Sequence, residues 1–166
     1  MNFTLEKWEL KYSSNIRKTF NDRRFAEFFP EKLPFPFEEK HARYFIEQRI
    51  YHTDEQQFCR AIIADGKISG GIDVFIGSGI YSKSAELVIW VTEPENKPIA
   101  AEALKQVCSY IFEKYNVVRL FAKPYSIDYV SSDLYEAAGF TLEGTMKKSV
   151  CKNSQIYDQK IYAIIR

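Results

Sequence analysis

Between a run of apolar strand formers and a long amphipathic stretch lies EPENKPIAAEALKQ, Glu93 to Gln106, where a turn opens a helix. A helix mouth attracts anions because its first amides lack intrahelical partners and its dipole adds positive charge, so phosphate recognition is the chemistry available here. The stretch contains no glycine. Pro98 removes one N–H and sets a ring where glycine would allow close approach, although its fixed φ suits the first position of a helix. The amides of Ile99, Ala100 and Ala101 are left as donors, with Asn96 beside them or capping the helix. A carboxylate at Glu95 about 6 Å from a phosphate costs roughly 3 kcal/mol at an effective dielectric of about 20, and Lys97 returns a similar amount. The expectation is an anion seat weaker than a glycine-bearing turn; the alternative is a plain helix start that binds nothing. His41 and His52 have no metal-ligand spacing to each other or to a cysteine, and no nucleophile triad can be assembled, so no metal is expected.

The elements that must position this turn follow from hydrophobic period. FTLEKWELKY alternates as a strand, and SSNIRKTFNDRRFAEFF follows as a helix with Ile16, Phe20 and Phe25 on its apolar side. Pro30, Pro34 and Pro36 make the next segment a loop, and EEKHARYFIEQRI a second helix. FCRAIIA and ISGGIDVFIG form a hairpin about an Asp-Gly pair, and SAELVIWVT is a third antiparallel strand. From Pro98 to Tyr115 apolar residues recur at helical spacing. A buried strand VVRLFAKP, a short helix DYVSSDLYEAAG stopped at Gly139, and a closing hairpin complete the order β, α, α, β, β, β, α, β, α, β, β.

Two stretches carry a family resemblance. SAELVIWVTEPENKPIAAEALKQV resembles SAEIGYWxxEPxWGKGxATEAL of the GNAT superfamily of N-acetyltransferases, in its RimJ/RimL-like branch of ribosomal-protein N-terminal acetyltransferases. RLFAKPYSIDYVSSDLYEAAGFTLEGTMKKSVCKNSQIYDQKIYAIIR resembles that branch's ending, RIxAxPxxxNxASxxVLEKxGFxxEGxxRxxxxKxGxxxDxxxYxxxR. More weakly, the likeness extends back to MNFTLEKWEL, so it covers nearly the whole chain. It implies an α+β GNAT fold: a mixed, mostly antiparallel sheet with helices on both faces and a fourth and fifth strand splayed to admit acetyl-CoA as cosubstrate. In that cleft the resemblance assigns the backbone of Ile89, Trp90 and Val91 to the pantetheine arm. The pyrophosphate turn aligns with Glu95, Asn96, Lys97, Pro98, Ile99 and Ala100, one residue short, with Pro98 in place of the central glycine.

Transfer of an acetyl group to a primary amine needs a base for the ammonium and an acid for the departing thiolate. The resemblance points to Glu86 as base, whose alternative is a solvated residue paired with Arg119 or Lys123. Tyr135, four residues before Gly139, is the candidate acid, although this branch more often has leucine there; its alternative is a packed aromatic. Ser131 is another donor to the thiolate or cofactor. Asp128 replaces the motif's asparagine, exchanging two donors for a charge, and either meets the cofactor or caps the helix. The resemblance places the loop FFPEKLPFPF and the final hairpin on the acceptor side, with Phe28, Phe29, Phe35 and Phe37 as an apolar wall or, alternatively, as ordinary core plugs. A peptide N-terminus, amino sugar, polyamine or amino acid is admitted as acceptor. The departures at Glu95, Pro98 and Asp128 support a competing reading, a non-catalytic GNAT-fold binding module.

Composition bounds the rest. The 166 residues carry 23 Lys and Arg against 22 Asp and Glu, a formal charge of +1. Without local clustering that field gathers neither nucleic acid nor acidic lipid, so no DNA or membrane partner is expected. Cys59, Cys108 and Cys151 are odd in number and set in apolar patterns, which reads as packed, reduced thiols. No apolar run approaches the roughly 18 residues of a membrane span. The expectation is one cytoplasmic domain over residues 1–166, acting alone or as a homodimer.

Overall fold

A computed structural model describes residues 2–51, 54–125 and 132–166. In chain order it has β1 (Phe3–Glu6), α1 (Ser13–Phe20), α2 (Arg23–Phe28), α3 (Glu39–Tyr51), β2 (Gln57–Ala64), β3 (Lys67–Ile76) and β4 (Ser84–Val91). There follow α4 (Lys97–Lys114), β5 (Arg119–Ala122), α5 (Ser132–Ala137), β6 (Thr141–Lys152) and β7 (Gln155–Ile165). The strands form one sheet in the order β1-β2-β3-β4-β5-β7-β6. Every pairing is antiparallel except β4 with β5, which the α4 crossover makes parallel.

Alternation along β4 decides what each face of the sheet holds. Ala85, Leu87, Ile89 and Val91 join the core under α4 and α5, with Leu104, Val107 and Ile111 of α4 and Tyr135 of α5. Trp90 points the other way, into a core with Ile16, Phe20, Phe25, Phe29, Phe45 and Ile46 of the α1–α3 layer. Helices therefore cover both faces, and aromatic rings pack the sheet, with Phe20 and Phe29 lying 5.6 and 5.7 Å from the Trp90 ring. Gly71 lies opposite Trp90, and a Cβ there would come within 2.7 Å of the indole. Arg49 of α3 fastens this layer to the sheet, donating to Asp73 Oδ2 from Nε at 3.1 Å and from Nη2 at 2.7 Å.

Three elements differ from the sequence reading. β1 stops at Glu6 because Trp8 turns into the core, stacking on Trp90 at 6.2 Å and meeting Phe45 edge-on at 5.6 Å. The single helix expected over residues 13–29 is two. Asn21 exchanges hydrogen bonds with the backbone of Phe37 at 2.7 and 2.8 Å, and Asp22 caps α2 by accepting from Arg24 N–H. Cys151 is exposed on β6, whereas Cys59 and Cys108 are buried, and burial pushes the Cys108 thiol up to about 12. The Asp65-Gly66 and Asn153-Ser154 turns both have positive φ at their paired residues, as two-residue hairpin turns require. No helix among the described residues is long and apolar enough to cross a membrane.

Candidate active site

β4 and β5 share only three register positions: Ser84 with Arg119, Ala85 with Leu120 and Glu86 with Phe121. Beyond them β4 continues to Val91, while the chain after β5 stays with β7, Lys160 N–H donating to Pro124 O and Tyr125 bridging Gln159. The strands part at Glu86. Among the described residues, no strand covers this edge of Leu87–Val91.

Strand parity identifies the groups that face the gap. Thr92 N–H donates to Ser69 O and Gly77 N–H to Ser84 O, so the even residues of β4 turn their backbone to β3. The odd residues face β5. Ile89 and Val91 present both N–H and C=O to the gap, and Leu87 its carbonyl beyond the last rung. The assignment of the Trp90 backbone to this edge is corrected: its groups belong to the β3 ladder, and its side chain fills the opposite core.

At the mouth of α4 the seat for an anion is narrower than the sequence suggests. A 3-10 turn, Pro94–Asn96, precedes the helix, and its bonds use Asn96 N–H on Glu93 O and Lys97 N–H on Pro94 O. Because α4 begins at Lys97, the amides of Ala100 and Ala101 lie within its i→i−4 ladder, which corrects their assignment as orphan donors. Pro98 has no N–H. Ile99 is left as the first-turn amide outside both sets of bonds. The Asn96 side chain makes no cap; its Nδ2 donates to Thr92 Oγ1 at 2.9 Å and Ser69 O at 3.4 Å, tying the turn to β3 and β4.

Glu86 and Tyr135 lie at the level where the strands part, on opposite faces of the sheet. Glu86 occupies the last shared register position, half-buried, with its carboxylate 3.0 Å from Lys123 Nζ. Tyr135 is buried on the α4 side and stacks on Tyr162 at 5.4 Å and 13°. Tyr162 pairs with Ala122, the first β5 residue past Phe121. Asp128, Ser131 and His52 lie outside the described residues. His41 accepts from Glu38 N–H at 3.0 Å, a local contact at the start of α3. No group of three His, Cys, Asp or Glu side chains among the described residues is placed to hold a metal ion.

A contact that local sequence patterns do not reveal spans the split on the Glu86 face. Phe29, just after α2, packs on Trp90 of β4. Its carbonyl accepts from Tyr125 Oη at 3.4 Å and also from Lys152 Nζ, and Lys152 donates to Ala26 O at 2.8 Å. The end of α2 thus joins the β4 wall to the β5 continuation and the closing hairpin. Of the four phenylalanines expected as an acceptor wall, Phe29 and Phe37 are core residues and Phe35 is exposed.

The acetyltransferase (GNAT) domain matches residues 2–141. The chain belongs to the GNAT acetyltransferase family. It is 24% identical over 163 residues to the uncharacterized N-acetyltransferase YnaD of Bacillus subtilis (strain 168), covering 97% of this chain and 92% of that protein. Among solved structures, the microcin C7 self-immunity acetyltransferase MccE in complex with acetyl-CoA and AMP superposes with a TM-score of 0.85. That match has 24% identity and covers 99% of this chain and 92% of that one. The ribosomal L7/L12 α-N-protein acetyltransferase RimL in complex with coenzyme A also gives 0.85, at 16% identity, covering 99% and 94%. These neighbours share the GNAT fold: the mixed sheet with one parallel pair and helices on both faces.

Proposed function

We propose that the protein is an acetyl-CoA-dependent N-acetyltransferase that moves an acetyl group directly to a primary amine, on a peptide N-terminus or a small molecule. The observation that carries this reading is the parted β4 and β5 edge, with Ile89 and Val91 presenting alternate donors and acceptors into the gap. Membership of the family and the acetyl-CoA or CoA in the MccE and RimL complexes support it. The residues present fit the pantetheine part of the cosubstrate well and the pyrophosphate part sparingly, through Ile99 N–H and the α4 dipole.

Acetyl-CoA, when bound, supplies the activated thioester. Ile89 and Val91 hold the arm by strand-like pairing, and a gap-facing N–H is a fixed donor for a carbonyl gaining negative charge. Glu86 takes the ammonium proton, directly or through water. Lys123 orients its carboxylate. From the opposite face the Tyr135 phenol holds the proton for the leaving thiolate. Ser131 is the alternative donor, and Asp128 is proposed near the cofactor by its place in the motif.

The pairing of the first amides at α4 favours a second reading, a GNAT-fold module that binds weakly or not at all and does no chemistry. Calorimetry with acetyl-CoA followed by thiol release from an amine panel separates the two. Saturable heat and amine-dependent thiol release are expected. Heat without thiol release favours the module, and no heat at millimolar acetyl-CoA removes the enzyme reading.

A further inference from the structure

Two adjoining pockets lie beside the bridge of Phe29, Tyr125 and Lys152, one walled by α2 and the other by the segment that follows it. The larger, about 420 Å³, is lined by Arg23, Glu27, Lys32, Leu33, Phe35 and Lys152 among others. The second, about 330 Å³, shares Lys32 and Lys152 and includes Tyr125. Three cations thus face one carboxylate, on a chain whose net charge is only +1. Lys152 is held by the carbonyls of Ala26 and Phe29. Arg23 and Lys32 are exposed and have no carboxylate within 4.0 Å among the described residues, unlike Lys11, Lys40, Lys105, Arg119 and Lys147, which all do. Phe35, 65% exposed, lies under the Arg23 guanidinium at 5.3 Å and with Leu33 gives the pocket an apolar side.

We propose that this pocket takes a carboxylate or phosphate carried by the acceptor, so that the preferred amine bears an anion away from its reactive nitrogen. The proposal rests on the amine-acetylation reading above and names the substrate class for it. Tyr125 leads back along the β5 continuation to the split, and Phe29 leads back through Trp90 to Ile89 and Val91, so the pocket is joined to both walls. Arg23 offers a planar fork suited to either anion, and Lys32 a point charge. An exposed ion pair changes an equilibrium constant a few-fold, so two such contacts set a preference of about tenfold.

The test compares amines matched except for one group: a carboxylate against its amide, and a phosphate against its parent hydroxyl. Thiol release gives KM for each member with the wild type, the Arg23→Gln/Lys32→Gln double variant, and Lys67→Gln at the start of β3 as a charge control. At least one anion is expected to lower KM about tenfold, the larger preference naming its source. The preference should fall below about twofold in the double variant and persist in Lys67→Gln. Equal KM values within both pairs, or a preference kept in the double variant, would overturn the anionic acceptor while leaving amine acetylation in place. No thiol release with any amine, despite acetyl-CoA binding, would overturn amine transfer itself and the proposal with it.

Discussion

In the proposed acetyl-CoA site, Pro98 removes one backbone donor from the first turn of α4. Glycine at this position would restore an N–H beside Ile99, and a hydrogen bond to a charged group is worth about 1.5–3 kcal/mol. Pro98→Gly is expected to tighten acetyl-CoA binding roughly tenfold by calorimetry; unchanged or weaker binding would contradict the account of this turn. Tyr135→Phe keeps the stack on Tyr162 and removes the phenolic proton. Its kcat should fall about 100-fold with KM within twofold, whereas an unaffected rate would move the proton donor to Ser131 or solvent. At this scale the sequence was half legible. The family resemblance pointed to β4, whose edge is open past Glu86, but three successive residues cannot all face that edge, because alternation sends Trp90's backbone to β3. The residues around Pro98 marked a helix start without showing the 3-10 turn that uses two of its amides.

Among the elements, β3 and β4 meet closely at Gly71, over which the Trp90 indole lies. Gly71→Ala should displace that ring and, through Ile89 and Val91, disturb the open edge. The expected loss is about 1–3 kcal/mol, a fall in Tm of roughly 3–10 °C, together with weaker acetyl-CoA binding. An unchanged melting curve would mean that the indole has room elsewhere. The β2–β4 meander and α4 were readable in the sequence because alternation and helical spacing are local signals. The departure of Trp8 from β1 was not, since its reward is contact with Phe45 and Trp90, far away in the chain. For the same reason the break between α1 and α2 depends on Asn21 meeting Phe37, and the Phe29, Tyr125 and Lys152 bridge joins three distant segments.

For the molecule as a whole, acid should reveal how charge contributes to stability. The Arg60 guanidinium, with Lys7 nearby, holds the Asp54 carboxyl below the usual carboxylate range, and the Tyr12 hydroxyl does the same for Glu6. A depressed folded pKa stabilises above the unfolded value and is lost as pH falls through the folded one. Tm should therefore hold between about pH 5 and 8 and decline below about pH 4. Asp54→Asn should lower Tm at neutral pH and make the acid decline shallower; an identical acid slope would contradict the role of this pair. The same molecule-wide view joins the chemistry: a base candidate on one face, an acid candidate on the other, and between them a parted edge. Titrating ¹⁵N-labelled protein with acetyl-CoA tests that arrangement most directly. Amide shifts concentrated at Ile89, Val91 and Ile99, larger than those at Val88 and Trp90, are the expected result. Shifts that spare β4 and the mouth of α4, or none at millimolar ligand, would contradict it.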